Sequence, residues 1–136
     1  MIDYEIDGKN LILGEKHITF NYNIKEVGEV NGYLIVLIYD LETGNVAKQP
    51  RNNIIAVDQN GVKIWTIDEI IKERDRIFTT FRFNDEIVSD PTGRAIIRHR
   101  IENEKDENIL NVYDAMGIWY AINLSTLKVI SKRGIR

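Results

Sequence analysis

The side chains that most often perform acid–base or metal chemistry are scarce in this chain. It contains two histidines, His17 and His99, and no cysteine. His99 shares the apolar parity of its segment with Ile97 and Ile101, which favours a packed imidazole over a general base, whereas His17 lies on a polar parity. The sequence has no ligand spacing of a transition-metal site and no nucleophile or phosphate-binding motif. We therefore predict no catalytic residue, metal, cofactor or enzymatic activity.

Acidic side chains are concentrated in residues 102–107, with the sequence ENEKDE. A charged run of this kind is typical of a solvated turn. The net charge of −3 favours a neutral or basic protein partner over nucleic acid or an anionic membrane. We therefore predict that this hairpin loop binds a basic protein through four residues. They are Glu102, Glu104, Asp106 and Glu107.

The segment GIWYAI adds an aromatic candidate, Trp119. Ile118, Tyr120 and Ile122 share one face of this strand, and Trp119 lies on the other. One bulky ring therefore points away from whichever face forms the core. Because tryptophan is enriched in interface hot spots, Trp119 is predicted to bind the partner, although a second buried layer would explain its position equally well.

Four arginines form an alternative, nucleic-acid-binding candidate: Arg82, Arg94, Arg98 and Arg100. The last three share one parity of the segment RAIIRHRIE, and the first lies between two phenylalanines in a strand that we expect beside it. Basic, aromatic sheet faces hold single-stranded nucleic acid. The net negative charge opposes this function, and acids of the 102–107 run can instead pair with the arginines in a cross-strand ladder. We therefore favour protein binding.

Antiparallel strands must position these residues. The segment YLIVLIY, residues 33–39, is apolar on both faces and predicts a central strand covered on both sides. Short turn signals between the later apolar segments indicate antiparallel neighbours. The capping-box spacing of Thr66 and Glu69, followed by an isoleucine stripe, predicts one helix over residues 67–75.

Together these elements predict a mainly β fold. We expect an antiparallel meander that forms a partial barrel or two-layer sheet, with one short α-helix near residues 67–75. A length of 136 residues fits one β-rich domain, residues 1–136. The longest apolar run is too short for a membrane span, and the acidic N-terminal segment is unlike a secretory signal, so we expect a cytoplasmic protein. An exposed sheet edge would also allow a homodimer to form.

An aspartate followed three or four residues later by glycine ends four of the predicted strands, at Asp40, Asp58, Asp90 and Asp114. The aspartate can accept hydrogen bonds from the amides of its own turn, and the glycine can adopt positive φ without a steric penalty. We therefore predict that these turns need no ligand.

Three segments resemble the strand–turn–strand units of quinoprotein-type β-propellers: NNIIAVDQNGVKIWTI, IYDLETGNV and NVYDAMGIWYAINLSTLKVI. The four aspartates are unequally spaced, and a complete propeller would need a longer chain. The resemblance therefore implies hairpins, and no quinone or metal residue follows from it.

The chain also resembles the small bacterial immunity proteins that are encoded beside polymorphic or contact-dependent toxins. The resemblance lies in its small size, its acidic balance, its lack of cysteine and the style of its loops. This resemblance implies a non-catalytic protein of the bacterial cytoplasm that binds and occludes a toxin domain. The remaining alternative is a small-ligand-binding protein or an enzyme of unknown class, which would require a deep pocket near His99 or Trp119.

Overall fold

The computed structural model describes residues 2–43, 45–73, 75–89, 91–92, 94–99 and 108–134. These residues confirm the mainly β, antiparallel class, with thirteen strands and two short 3-10 turns, Val46–Lys48 and Ile67–Glu69. The strands are β1 (Glu5–Asp7), β2 (Asn10–Leu13), β3 (Lys16–Thr19), β4 (Asn23–Val30), β5 (Tyr33–Tyr39), β6 (Ile54–Val57), β7 (Lys63–Thr66), β8 (Phe78–Phe83), β9 (Asp85–Ser89), β10 (Ala95–His99), β11 (Ile109–Asp114), β12 (Ile118–Asn123) and β13 (Lys128–Gly134).

The strands form four open sheets within these residues. Their strand orders are β1-β2-β3, β4-β5-β6-β7, β10-β9 and β13-β12-β11-β8. The chain divides into two compact units, residues 1–78 and residues 79–136. The first unit holds β1 to β7, and the second holds β9 to β13 and nearly all of β8.

In the first unit, β5 is the central strand that the sequence predicts. It pairs with β4 on one side and β6 on the other, and residues 34–37 are fully buried. Leu34 and Val36 of β5 share a core cluster with Leu11 and Leu13 of β2, so the three-stranded sheet packs on this face of the four-stranded one. Burying one such side chain stabilises the fold by roughly 1.5–3 kcal/mol. The first unit is therefore a two-layer sheet.

The structure corrects the α-helix predicted over residues 67–75, where it has the 3-10 turn Ile67–Glu69. The Glu69 carboxylate accepts a 2.6 Å hydrogen bond from the Thr66 amide, as the capping spacing predicted. The Ile70 and Ile71 amides both donate to the Ile67 carbonyl, and the ladder ends there. Helix nucleation is costly and isoleucine is a weak helix former. A single turn already buries Ile67 and Ile71, so a longer helix is not needed to remove these side chains from water.

A second difference concerns the strand that was expected to lie beside Arg94, Arg98 and Arg100, and it arises in the segment NDEIVSDPTG, residues 84–93. Its residues 85–89 form β9, which pairs with β10. Asn84, with φ 59°, separates β8 from β9, and it exchanges two hydrogen bonds with the backbone of Ile109 at 2.8 and 3.0 Å. Strand β8 therefore lies beside β11, and β10 has β9 as its partner in the sheet.

Candidate functional site

The acidic loop predicted to bind a partner lies outside the described residues. It contains Glu102, Glu104, Asp106 and Glu107, and Arg100 of the alternative basic surface also falls there. Their roles stay predictions.

The sequence left two positions equally open for Trp119, an exposed interface position and a buried one, and the structure shows the buried one. This residue is 4% exposed and packs with Ile109, Ala121 and Tyr113 on one face of the β11–β12 hairpin. The neighbouring Tyr120, on the other face, is 1% exposed. Side chains on both faces of β12 are therefore buried.

The predicted basic surface is divided between two sheets. Arg82 lies on β8, in the sheet with β11, whereas Arg98 lies on β10, opposite Glu86 of β9. Arg94 is exposed just before β10 begins. The expected pairing of the two arginine-bearing strands is therefore wrong.

The phenylalanines beside Arg82 also differ from a nucleic-acid platform. Phe81 is 7% exposed and contacts Phe83 edge to face, with ring centroids 5.7 Å apart and planes at 72°. Bases stack on exposed aromatic faces. The buried ring of Phe81 therefore contributes to packing instead of offering a stacking surface.

The two histidines belong to different units. His17 is exposed on β3 of the first unit, as its polar parity predicted. His99 ends β10 in the second unit and lies opposite Asp85 in the strand register.

The aspartate turns have the geometry that the sequence predicts. The Asp58 carboxylate accepts hydrogen bonds from the Asn60 and Val62 amides at 2.8 and 3.0 Å, and Gly61 has φ 81°. Asp114 repeats the pattern with the amides of residues 116 and 118 at 2.9 and 2.8 Å. The Asp40 carboxylate likewise accepts from the amides of residues 42 and 43, and Asp90 lies outside the described residues. These carboxylates are therefore used within their own turns.

A groove of about 450 Å³ lies beside β1 in the first unit. It is lined by Asp3, Tyr4, Glu5, Ile12 and Gly14. The antiparallel register of β1 and β2 places Glu5 opposite Ile12, and Gly14, with φ 61°, turns the chain from β2 into β3. The groove thus combines two carboxylates and a phenol with an apolar side chain.

This composition suits a long basic side chain. The methylene stem of lysine or arginine can lie against apolar surface while its charged end stays among polar groups. Carboxylates form the strongest hydrogen bonds with such cations. Asp3, Tyr4 and Glu5 are exposed, so a partner can reach them.

The surrounding segment strengthens the negative potential, since residues 1–30 contain six acidic residues and three lysines. Sequence reasoning missed the groove because the N-terminal acids were weighed only against a secretory signal. The alternation of acidic and apolar residues in DYEID was the available signal. The concavity itself depends on the pairing of β1 with β2.

Other kinds of site are not seen in the described part of the chain. No group of three or more histidine, cysteine, aspartate or glutamate side chains is arranged to hold a metal among residues that the structure describes. Within those same residues, no helix has the length and apolar character needed to cross a bilayer.

Comparison with known proteins identifies one relationship. A family model described as "Domain of unknown function (DUF7957)" matches residues 1–90. No curated protein and no solved structure matches the chain. The matched range includes all of the first unit and therefore the groove beside β1.

Proposed function

The chain belongs to the DUF7957 family, and we propose that it is a non-catalytic protein-binding module of the bacterial cytoplasm, an immunity-type inhibitor that binds and occludes a basic toxin domain. The observation that carries this proposal is the groove beside β1, with its exposed Asp3, Tyr4 and Glu5. It offers a recess for a basic side chain on an acidic surface.

The groove is one part of the proposed interface. A stable interface buries about 800 Å² on each partner, far more than five lining residues provide. Ile6 of β1 is 46% exposed and adds apolar area next to the groove. An exposed ion pair contributes only about 0.2–1 kcal/mol, so the carboxylates act mainly on the association rate and on partner choice.

The first experiment is affinity capture with the tagged full chain from its bacterial host, identifying bound proteins and nucleic acids together. The proposal expects a basic protein domain in stoichiometric amount, and the purified domain should lose its own toxic activity when the chain is added. Recovery of nucleic acid without a protein, or a captured domain that stays fully active in the complex, would contradict it.

The second experiment tests the groove with that captured domain. Reversing two charges, Asp3→Lys with Glu5→Lys, should slow association and flatten its dependence on salt, because both residues line the groove. A matched control reverses two exposed acids elsewhere in the same unit, Glu42→Lys with Asp68→Lys. Equal slowing by both pairs would assign the effect to net charge and remove the groove from the interface.

A third comparison addresses the acidic loop predicted from sequence. Glu104→Lys with Asp106→Lys should also slow association if that loop faces the basic partner. An unchanged association rate would exclude the loop from the interface and leave the groove as the acidic surface that contacts the partner.

A further inference from the structure

Two asparagine–glycine pairs occur in turns of the first unit. Asn31 and Gly32 connect β4 to β5, and Asn60 and Gly61 lie between β6 and β7. In such a pair the glycine amide nitrogen can attack the asparagine carboxamide, because glycine has no side chain to obstruct the approach. The surrounding structure decides whether that nitrogen is available.

The second pair is held in place. The Gly61 amide donates a 3.0 Å hydrogen bond to the Asp58 carbonyl, and the Asp58 carboxylate accepts from the Asn60 and Val62 amides. The turn also packs on β3, since a Cβ added to Gly61 would lie 3.2 Å from the Ile18 side chain. Attack by the Gly61 nitrogen would have to break its hydrogen bond and distort a packed turn.

The first pair is exposed at a hairpin tip. Asn31 and Gly32 have φ values of 51° and 80°, which are typical of a type I′ turn. Both residues are exposed, and a Cβ added to Gly32 would meet nothing within 4 Å. No described backbone carbonyl accepts a hydrogen bond from the Gly32 amide. Its nitrogen therefore has neither the hydrogen bond nor the packing that restrains Gly61.

We propose that Asn31 is a site of spontaneous deamidation in the folded protein and that the Asn60 turn is protected from the same reaction. The deprotonated Gly32 nitrogen attacks Cγ of Asn31. A nitrogen–Cγ bond forms as the Cγ–Nδ2 bond breaks, and Nδ2 leaves as ammonia after taking a proton from water. Water then opens the resulting succinimide at either carbonyl and yields aspartate or isoaspartate. No enzyme or oxidant is required.

The product changes the hairpin in two ways. Either product adds one negative charge to the tip of the β4–β5 hairpin. Isoaspartate also places an extra methylene in the main chain between Val30 and Tyr33, which face each other in the register. The modification is independent of the proposed inhibitor function, because its chemistry needs only water.

The test is peptide mapping by mass spectrometry after incubation of the full folded chain at mildly alkaline pH, with isoaspartate measured by enzymatic methylation. Asn31 should convert at least about fivefold faster than Asn60, the factor that corresponds to one hydrogen bond of about 1 kcal/mol. In denaturant the two rates should become similar, since both residues precede glycine. Equal rates in the folded protein, or faster conversion of Asn60, would overturn the proposal.

Two variants separate structure from sequence. Asn31→Gln should abolish the acidic product of the hairpin, because closing the larger ring is much slower. Asp58→Ala removes the carboxylate that holds the second turn and should speed conversion of Asn60, whereas Asp58→Asn keeps an acceptor oxygen and should not. If Asp58→Ala leaves the Asn60 rate unchanged while the chain stays folded, protection by that turn is disproved.

Discussion

The two units bury one tryptophan each, and the two indoles differ in hydrogen bonding. Trp65 in the first unit is 3% exposed, contacts Tyr33 edge to face at 6.5 Å and hydrogen-bonds its phenol. Trp119 in the second unit is 4% exposed, and its indole nitrogen has no hydrogen-bond partner among the described residues. The two indoles are thus almost equally buried, but they differ in whether the N–H group has a hydrogen-bond partner.

The difference teaches that burial alone does not measure what a side chain contributes. A buried donor without an acceptor costs about 1–3 kcal/mol, whereas a paired donor stabilises modestly. Trp65 gains from both ring packing and its hydrogen bond, but part of the packing gain of Trp119 is offset. Mutations that remove a buried hydrogen-bonding side chain should therefore lower the free energy of unfolding most where that side chain has all of its hydrogen-bond partners.

The strongest test is Asn53→Ala in the first unit. Asn53 is 1% exposed, and its side chain makes three hydrogen bonds at 2.8–2.9 Å, two with the backbone of Phe78 and one with the Ile38 carbonyl. Its removal leaves several buried backbone groups without partners, so the free energy of unfolding should fall by about 4 kcal/mol. Urea denaturation of the full chain would measure this loss.

The matched control is Asn45→Ala. Asn45 is exposed, and its side-chain oxygen accepts a hydrogen bond from the Ala47 amide at 3.0 Å. Loss of this hydrogen bond should lower the free energy of unfolding by about 1 kcal/mol or less. If Asn53→Ala destabilises no more than this control, complete pairing of the buried amide is not what stabilises the unit.

The next test compares one aspartate turn from each unit. Asp114 is 5% exposed and Asp58 is half-buried, and each carboxylate accepts two amides of its turn. Alanine should cost about 2–3 kcal/mol at Asp114 and about 1–2 kcal/mol at Asp58, because the amides left unpaired are more buried in the second unit. Thermal unfolding of both variants would show which of the two alanine substitutions costs more stability.

Asparagine at each position supplies the control, since its amide oxygen can still accept the turn amides. Asp114→Asn and Asp58→Asn should each stay within about 1 kcal/mol of the parent chain. Equal costs for the two alanine variants would show that burial of the turn does not set the size of the effect.

These turns also show how much of the fold is readable from sequence. The chemistry of an aspartate followed by glycine is local, so the acceptor role of Asp58 and the positive φ of Gly61 were predicted correctly. The central strand Tyr33–Tyr39 was also predicted, because a run that is apolar on both faces leaves few alternatives. Local pattern therefore determines these elements.

Features that depend on distant parts of the chain were not predicted. The pairing of β8 with β11 separates Arg82 from Arg98, and no periodicity within either strand indicates it. Trp119 could have faced either solvent or a second layer, since both faces of its strand carry large side chains. The groove beside β1 likewise depends on the pairing of β1 with β2. The sequence pattern therefore does not indicate which strands pair with each other.

The tryptophan comparison itself can be tested by Trp65→Phe and Trp119→Phe. Both variants lose ring area, but only Trp65→Phe removes a hydrogen bond, and Trp119→Phe removes a donor that has no partner among the described residues. The loss of unfolding free energy should be larger for Trp65→Phe by about 1 kcal/mol. Chemical denaturation of the two variants would measure the difference, and equal losses would mean that the indole of Trp119 is as well satisfied as that of Trp65.

The smallest expected effect concerns Tyr33, the phenol that Trp65 contacts. Burial raises the pKa of Tyr33 above its ordinary 10.0, and the hydrogen bond from Trp65 partly opposes this rise. Because the folded-state pKa is raised, the unfolded chain ionises first, and the contribution of Tyr33 to stability should be lost as pH rises from 10.0 through the folded-state value. Ultraviolet titration of phenolate, with Tyr33→Phe identifying the signal, would locate that pKa. In Trp65→Phe the pKa should rise further, and a fall would show that the indole does not donate to the phenol.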